Sequence, residues 1–345
     1  MPPAIGRNVT DQARGRIPCA VKIVDVAAAA GVAPMTVSRV INTPDRVSEA
    51  TTLKVRAAIE RLGYVPNLIA GGLSSRRSRM IAAIVPTIAS PMFSEPVQTF
   101  TDVLGQAGYH VMLGLSGYAP GGEDGLIHAL LARRPDGILL TGARHSPVVQ
   151  RLLRNAGIPV VEIWDATDTP TDMLVGFDHA ELGAAVADHF LAKGHTRFAV
   201  FAAGDPRATA RRDGYVRRIA ERGGRLVAER TLPSPSTIMD GRQALREIID
   251  TLTERTALFG SSDMVAFGAL TEARALHVTV PDRLAICGFG DFELSRSAAP
   301  AFTTVSVDGV DMGRIAAENL LARMQGGAAP RHVLIPARIV ERATT

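Results

Sequence analysis

Residues 23–42 read "IVDVAAAAGVAPMTVSRVIN", and their punctuation decides how the amino-terminal part of the chain folds. A short apolar run at helical spacing ends at Gly31, and a second opens at Pro34. Glycine just past one helix and proline just inside the next mark two helices joined by a tight turn. Thr36, Ser38 and Arg39 interrupt the apolar face of the second helix, so polar groups project from it. Val26, Ala27, Val32, Val37 and Val40 are small enough to hold the pair at a steep angle. This pattern predicts a helix-turn-helix, whose second helix enters the major groove of DNA with its first residues toward the base edges. The plainer alternative is an arbitrary helical hairpin.

Working outward, a third helix is predicted over "EATTLKVRAAIERL", with Ser48 as its N-cap and Gly63 as its stop. The following "YVPNLIAGGLSSRRSR" mixes Pro, paired Gly, Ser and Arg, a linker composition. Residues 1–80 hold twelve Lys/Arg against five Asp/Glu, whereas the remainder holds twenty-six against twenty-nine. A basic head on a near-neutral body is the charge footprint of a nucleic-acid reader joined to something else. Residues 1–21 contain no apolar segment of secretory type and read as a disordered tail. No apolar run reaches membrane-spanning length, and the two cysteines, Cys19 and Cys287, fit free thiols in a reducing cytoplasm.

From Met80 the texture changes. "MIAAIVPTI", "YHVMLGL", "DGILLTG", "IPVVEIW", "RFAVFAAG", "ALFGSSD" and "LAICGFGD" are short apolar runs, with amphipathic stretches between most of them. Continuous apolar strands alternating with helices indicate parallel sheet covered on both faces. There are too many strands for one doubly wound unit. Two such subdomains with a ligand cleft between them fit the length of 345 residues. The expected organisation is a head at 22–66, a linker at 67–79 and an α/β core at 80–345. Within the core, one subdomain is expected to take about 80–176 and 307–326, and the other about 177–306 and 327–345.

The run "VDVAAAAGVAPMTVSRVIN…RVSEATTLKVRAAIERLGYVPNLIAGGL" resembles the DNA-binding head of the lactose-repressor (LacI/GalR) family of bacterial transcription regulators. The resemblance continues through "LAKGHTRFAVF", "ARRDGY", "ALFGSSDMVAFGAL", "VPDRLAICGFGDFELS" and "PAFTTVSVDGVDMGRIAAENLL". It implies an all-α helix-turn-helix head, a core like the periplasmic binding proteins, and a homodimer on a pseudo-palindromic operator. Its base-reading pair falls on Pro34 and Met35, and its groove-reaching basic residue on Arg39. Thr36, Ser38 and Asn42 would contact bases or phosphates. Ala33 stands where the family has a Ser or Thr cap, and losing such a cap costs about 0.5–2 kcal/mol. Pro and Met offer bases no hydrogen bond, which leaves apolar contact there and makes Arg39 the candidate for a bidentate guanine contact. In the linker, Leu73 maps to the leucine that wedges into the minor groove, Ile69 to the hinge-pairing residue, and Arg76 is a candidate phosphate contact. Gly71 and Gly72 each cost about 1 kcal/mol of helix propensity relative to Ala, so this hinge is expected to fold only on operator.

For the core the resemblance implies a small polar effector held by Phe93, Trp164, Arg207, Arg211, Ser262, Asp263, Gly290 and Asp291. Gly290 replaces an acid that grips sugar hydroxyls in the family, and Ser236 stands where an aromatic platform is usual. Arg207 and Arg144 add positive charge, so the pocket favours an anion. "PVVEIWD", "DMLVGFDH" and "GFGDFELS" are similar to the gluconate-utilisation repressor branch. A sugar acid is therefore the first expected ligand and a neutral sugar the second. The rival readings are weaker. A solute-binding module without DNA function leaves residues 22–73 unexplained, and an enzyme lacks a visible nucleophile or acid–base pair. "GFGDF" is not a nucleotide loop, and His179, His189 and His195 lack metal spacing and read as surface or capping residues, so no cofactor or metal is expected. Asp178 is expected to cap the helix that follows it.

Overall fold

The computed structural model describes residues 21–65, 77–119 and 121–345. Cys19 and the rest of the expected tail through residue 20, together with Ile69, Gly71, Gly72, Leu73 and Arg76, lie outside the described residues. The chain divides into a small unit ending at Ser78 and a large one beginning at Arg79.

In the small unit, α1 (Ile23–Ala30) and α2 (Pro34–Asn42) are bent by 101° at the turn between them. Gly31 turns the chain with a φ of 67°, a left-handed conformation that glycine adopts without a Cβ clash. Helix α3 (Glu49–Leu62) ends the same way at Gly63. Val26, Ala27, Val37, Val40, Val55 and Ala58 are buried together, with Val32 packed at the margin. Ser48 departs from expectation: its hydroxyl pairs with the Thr51 hydroxyl at 2.9 Å and accepts from no backbone N–H of the helix. Thr51 lies one turn on and occupies the same oxygen. Ala33, with no polar group, leaves the start of α2 uncapped.

The large unit holds two six-stranded sheets. The first contains β1 (Met80–Val85), β2 (His110–Leu115), β3 (Gly137–Thr141), β4 (Val160–Ile163) and β5 (Met173–Gly176). The second contains β6 (Arg197–Ala203), β7 (Arg225–Leu232), β8 (Thr256–Gly260), β9 (Leu284–Phe289) and β10 (Thr303–Val307). Two late strands complete them: β11 (His332–Leu334) and β12 (Ala337–Val340). The orders are β11–β5–β4–β3–β1–β2 and β12–β10–β9–β8–β6–β7. Every pairing is parallel except β10 with β12. The central strands are buried except at Met80 and Thr141, which end β1 and β3, as their unbroken apolar runs require.

One expected boundary is corrected. Residues 327–345 were assigned wholly to the second subdomain, but β11 pairs with β5 in the first sheet. There it covers a strand edge that would otherwise present unpaired backbone groups. The chain therefore crosses between the sheets three times: after β5, after β10, and between β11 and β12.

The helices follow the strands in the doubly wound manner. Helix α4 (Pro91–Gln106) follows β1, and α5 (Asp124–Leu131) and α6 (Pro147–Ala156) cover the first sheet. Helices α7 (His179–Ala192) and α8 (Pro206–Glu221) flank β6. Asp178 caps α7 as expected, accepting from the backbone N–H groups of Ala180 and Glu181 at 2.7 and 3.1 Å. A Cβ placed on Gly183 would lie 1.9 Å from the Arg211 carbonyl oxygen, and one on Gly214 would lie 1.9 Å from that of Ala180. The backbones of α7 and α8 thus touch, which no other residue pair would permit. Helices α9 (Ile238–Ile248) and α10 (Asp263–Ala275) meet in the same way through Gly241 and Gly268.

Candidate DNA-reading face and ligand cavity

On α2 the buried face is Val37 and Val40, so the residues between them project outward. Pro34, Met35, Arg39 and Asn42 are exposed, Met35 by 63%, and Thr36 and Ser38 are half-buried. The Asn42 amide donates to the Ser38 carbonyl at 3.0 Å and to its hydroxyl at 3.3 Å, which ties these two positions together. Arg39 has no ion-pair partner among the described residues. An unpaired guanidinium on the outer face of the second helix can take a base edge or a phosphate.

The core holds a cavity of about 470 Å³, within the range of small-molecule sites. Its walls come from both subdomains: Ser90, Met92, Phe93 and Tyr118 from the first, and Asp205, Arg207, Arg211, Ser236, Ser262 and Phe292 from the second. Strand ends and helix starts place these groups, as expected at the carboxyl ends of parallel strands. Arg207 lies over the Phe93 ring at 5.3 Å and so links the two walls. Asp205 caps α8 with one carboxylate oxygen, which accepts from Arg207 and Ala208 N–H groups, both at 3.1 Å, and its charge acts on Arg211 from beyond ion-pair distance.

Arg211 is the most constrained group in the wall. It is only 3% exposed, and its guanidinium stacks over Phe289 at 4.1 Å. One terminal nitrogen donates to the Ser261 carbonyl at 3.0 Å and the other to Nδ1 of His179 at 2.8 Å. Its Nε is buried and has no hydrogen-bond partner among the described residues. Burial lowers its pKa to about 10, which still leaves it cationic at neutral pH. No carboxylate lies within 4.0 Å of Arg207 or Arg211 among the described residues.

Four of the eight expected effector residues therefore line the cavity: Phe93, Arg207, Arg211 and Ser262. The other four do not. Trp164 is buried behind Phe93, edge-on to it at 6.1 Å and to Phe177 at 5.5 Å. Asp263 is fully buried, and its oxygens accept from the Thr304 hydroxyl at 2.5 Å and the Phe292 N–H at 2.8 Å. Desolvation raises its pKa to about 7. Asp291 is occupied by Arg342 at 2.6 Å. At Gly290, a Cβ would meet the Phe292 ring at 2.6 Å, so this glycine makes room for a ring that does line the cavity. Tyr118, Asp205 and Phe292 were not anticipated. His179 and His195, expected as surface or capping residues, are buried. Among the described residues no cluster of His, Cys, Asp and Glu could hold a metal ion.

A helix-turn-helix head on a two-lobed binding core defines a ligand-responsive DNA-binding regulator of transcription. The chain belongs to the lacI family of bacterial regulatory proteins, whose family model matches residues 22–67, while that of the periplasmic binding protein-like domain matches residues 187–345. It is 34% identical to the HTH-type transcriptional regulator GntR of Escherichia coli strain K12, over 88% of this chain and 91% of that one. A LacI-family transcriptional regulator from Silicibacter pomeroyi superposes with a TM-score of 0.89 at 30% identity, covering 94% of this chain and 99% of that chain. The lac repressor dimer bound to operator and the anti-inducer ONPF gives a TM-score of 0.79 at 26% identity, with 94% and 99% covered.

Proposed function

We propose that this regulator is a repressor that dissociates from a pseudo-palindromic operator when a sugar acid of the gluconate type enters the core cavity. The carrying observation is Arg211: a buried guanidinium in the cavity wall with no carboxylate within ion-pair distance among the described residues. A buried charge held by neutral partners is costly until an opposite charge arrives, so a ligand carboxylate suits it better than a hydroxyl. Arg207 adds a second positive group. The branch resemblance and the 34% identity to GntR support the same reading.

The regulator acts as a homodimer in the cytoplasm, each head reading one half-site. Pro34, Met35, Thr36, Ser38, Arg39 and Asn42 meet the major groove, while Ile69, Leu73 and Arg76 serve the hinge. Ligand closes or twists the two subdomains about their three crossings, and operator and effector oppose each other by about 1–3 kcal/mol. Calorimetry with aldonic acids, and gel shifts on the chain's own upstream DNA with and without gluconate, test this. Binding of gluconate with release of a palindromic duplex is expected. A response only to uncharged sugars, which the Phe93, Tyr118 and Phe292 rings would favour by stacking, overturns the sugar-acid part.

A further inference from the structure

His179 belongs to none of the sites above, yet it stands behind the cavity in a defined chemical state. It is the first residue of α7, at the point where the chain enters the second subdomain, and it is 3% exposed. Both ring nitrogens are engaged. Arg211 donates to Nδ1 at 2.8 Å, and a guanidinium can only donate, so Nδ1 is an unprotonated acceptor. Nε2 faces the Trp164 carbonyl oxygen at 2.9 Å, which can only accept, so Nε2 carries the proton. The two partners fix one neutral tautomer. Phe177 packs edge-on against the ring at 4.6 Å and excludes other partners. Burial and the Arg211 charge both hold its pKa well below the usual histidine range.

We infer that His179 is a positioning and specificity residue: a neutral acceptor that aims the Arg211 guanidinium along the cavity wall while leaving its charge uncancelled for an anionic ligand. A carboxylate in its place would bond Arg211 equally well but would neutralise it. An apolar residue would leave a buried N–H unsatisfied. The Trp164 carbonyl comes from the end of β4 in the first subdomain, at a residue held at a φ of 65°. The same imidazole therefore ties the cavity arginine of one subdomain to a strand end of the other.

This inference rests on the sugar-acid reading for its ligand but not for its chemistry, so two measurements are paired. In the full-length protein with ¹⁵N-labelled histidine, the ring signals that vanish in His179→Asn should show the Nε2–H tautomer at neutral pH. An imidazolium or an Nδ1–H tautomer overturns the assignment. Calorimetry then compares gluconate with gluconamide, its uncharged amide. His179→Asp should weaken gluconate by about 10- to 100-fold and leave gluconamide nearly unchanged, as removal of one charge-assisted contact requires. His179→Asn, which keeps a neutral acceptor and a donor, should restore most gluconate affinity. Equal losses for acid and amide in His179→Asp would mean a merely structural role and overturn the inference. If the unaltered chain binds neither compound, the sugar-acid reading fails, and the ring spectrum alone decides whether His179 holds Arg211 as described.

Discussion

In the proposed DNA-binding mode Arg39 carries sequence discrimination, because Pro34 and Met35 beside it have no hydrogen bond to offer a base. Arg39→Ala is expected to relax specificity by about 1–3 kcal/mol at one base pair while changing affinity for random duplex far less. Competition gel shifts with single-base operator variants check this; equal loss on specific and random DNA would contradict the role. At this scale the sequence was informative wherever a motif fixed a side chain's direction. Arg211 was readable from "ARRDGY" through the family resemblance, and it does face inward. Asp263 and Asp291 were not readable. The family resemblance placed both at the ligand, but Thr304 and Arg342, distant in sequence, had already claimed their oxygens. His179 was read as a surface or capping residue for the same reason, since its partners lie fifteen and thirty-two residues away.

Among elements, the uncapped start of α2 invites a direct test. Ala33 has extended backbone, φ −74° and ψ 150°, as an N-cap residue requires. Ala33→Ser should therefore stabilise the head by about 1 kcal/mol, visible as a higher denaturant midpoint of its unfolding. The glycine contact between α7 and α8 predicts the opposite. Gly214→Ala must separate two touching backbones and should cost at least about 1–3 kcal/mol. Because Arg211 lies one turn before Gly214 on α8, the variant should also lose ligand affinity, measured by calorimetry on the protein that remains folded. All seven apolar runs quoted from the core coincide with strands. The missed strands have physical excuses. Strand β7 (Arg225–Leu232) lies at an edge and is half-exposed, so it carries charges. Strand β10 (Thr303–Val307) is rich in threonine, yet Thr303 and Thr304 are fully buried because Arg342, Thr344, Thr345 and Asp263 satisfy them.

Above neutral pH, one buried cluster in the first subdomain makes the stability of the molecule fall. His145 lies 2.9 Å from Glu123 and 3.3 Å from Glu162. Burial disfavours its charge, but the two carboxylates outweigh burial and lift its pKa to about 9. An unfolded histidine releases its proton near about 6.5. The stabilisation is therefore complete below that value and disappears as pH rises through about 9, a loss of up to about 3 kcal/mol. Urea midpoints at pH of about 6 and 9.5 should fall more for the unaltered chain than for His145→Gln; parallel falls would remove the cluster as the cause. The two-lobed plan was legible from alternating runs of apolar strand and helix. The allocation of β11 was not, because three residues carry too little pattern to choose between two nearly identical sheets. Its placement has a consequence for biosynthesis. The sheet begun by β1 near residue 80 is completed only by residues 332–334. While the ribosome is still translating, the head can fold as soon as it emerges, but its companion domain waits until residues 332–334 have followed. The part of the molecule that senses a metabolite is thus the last to be finished.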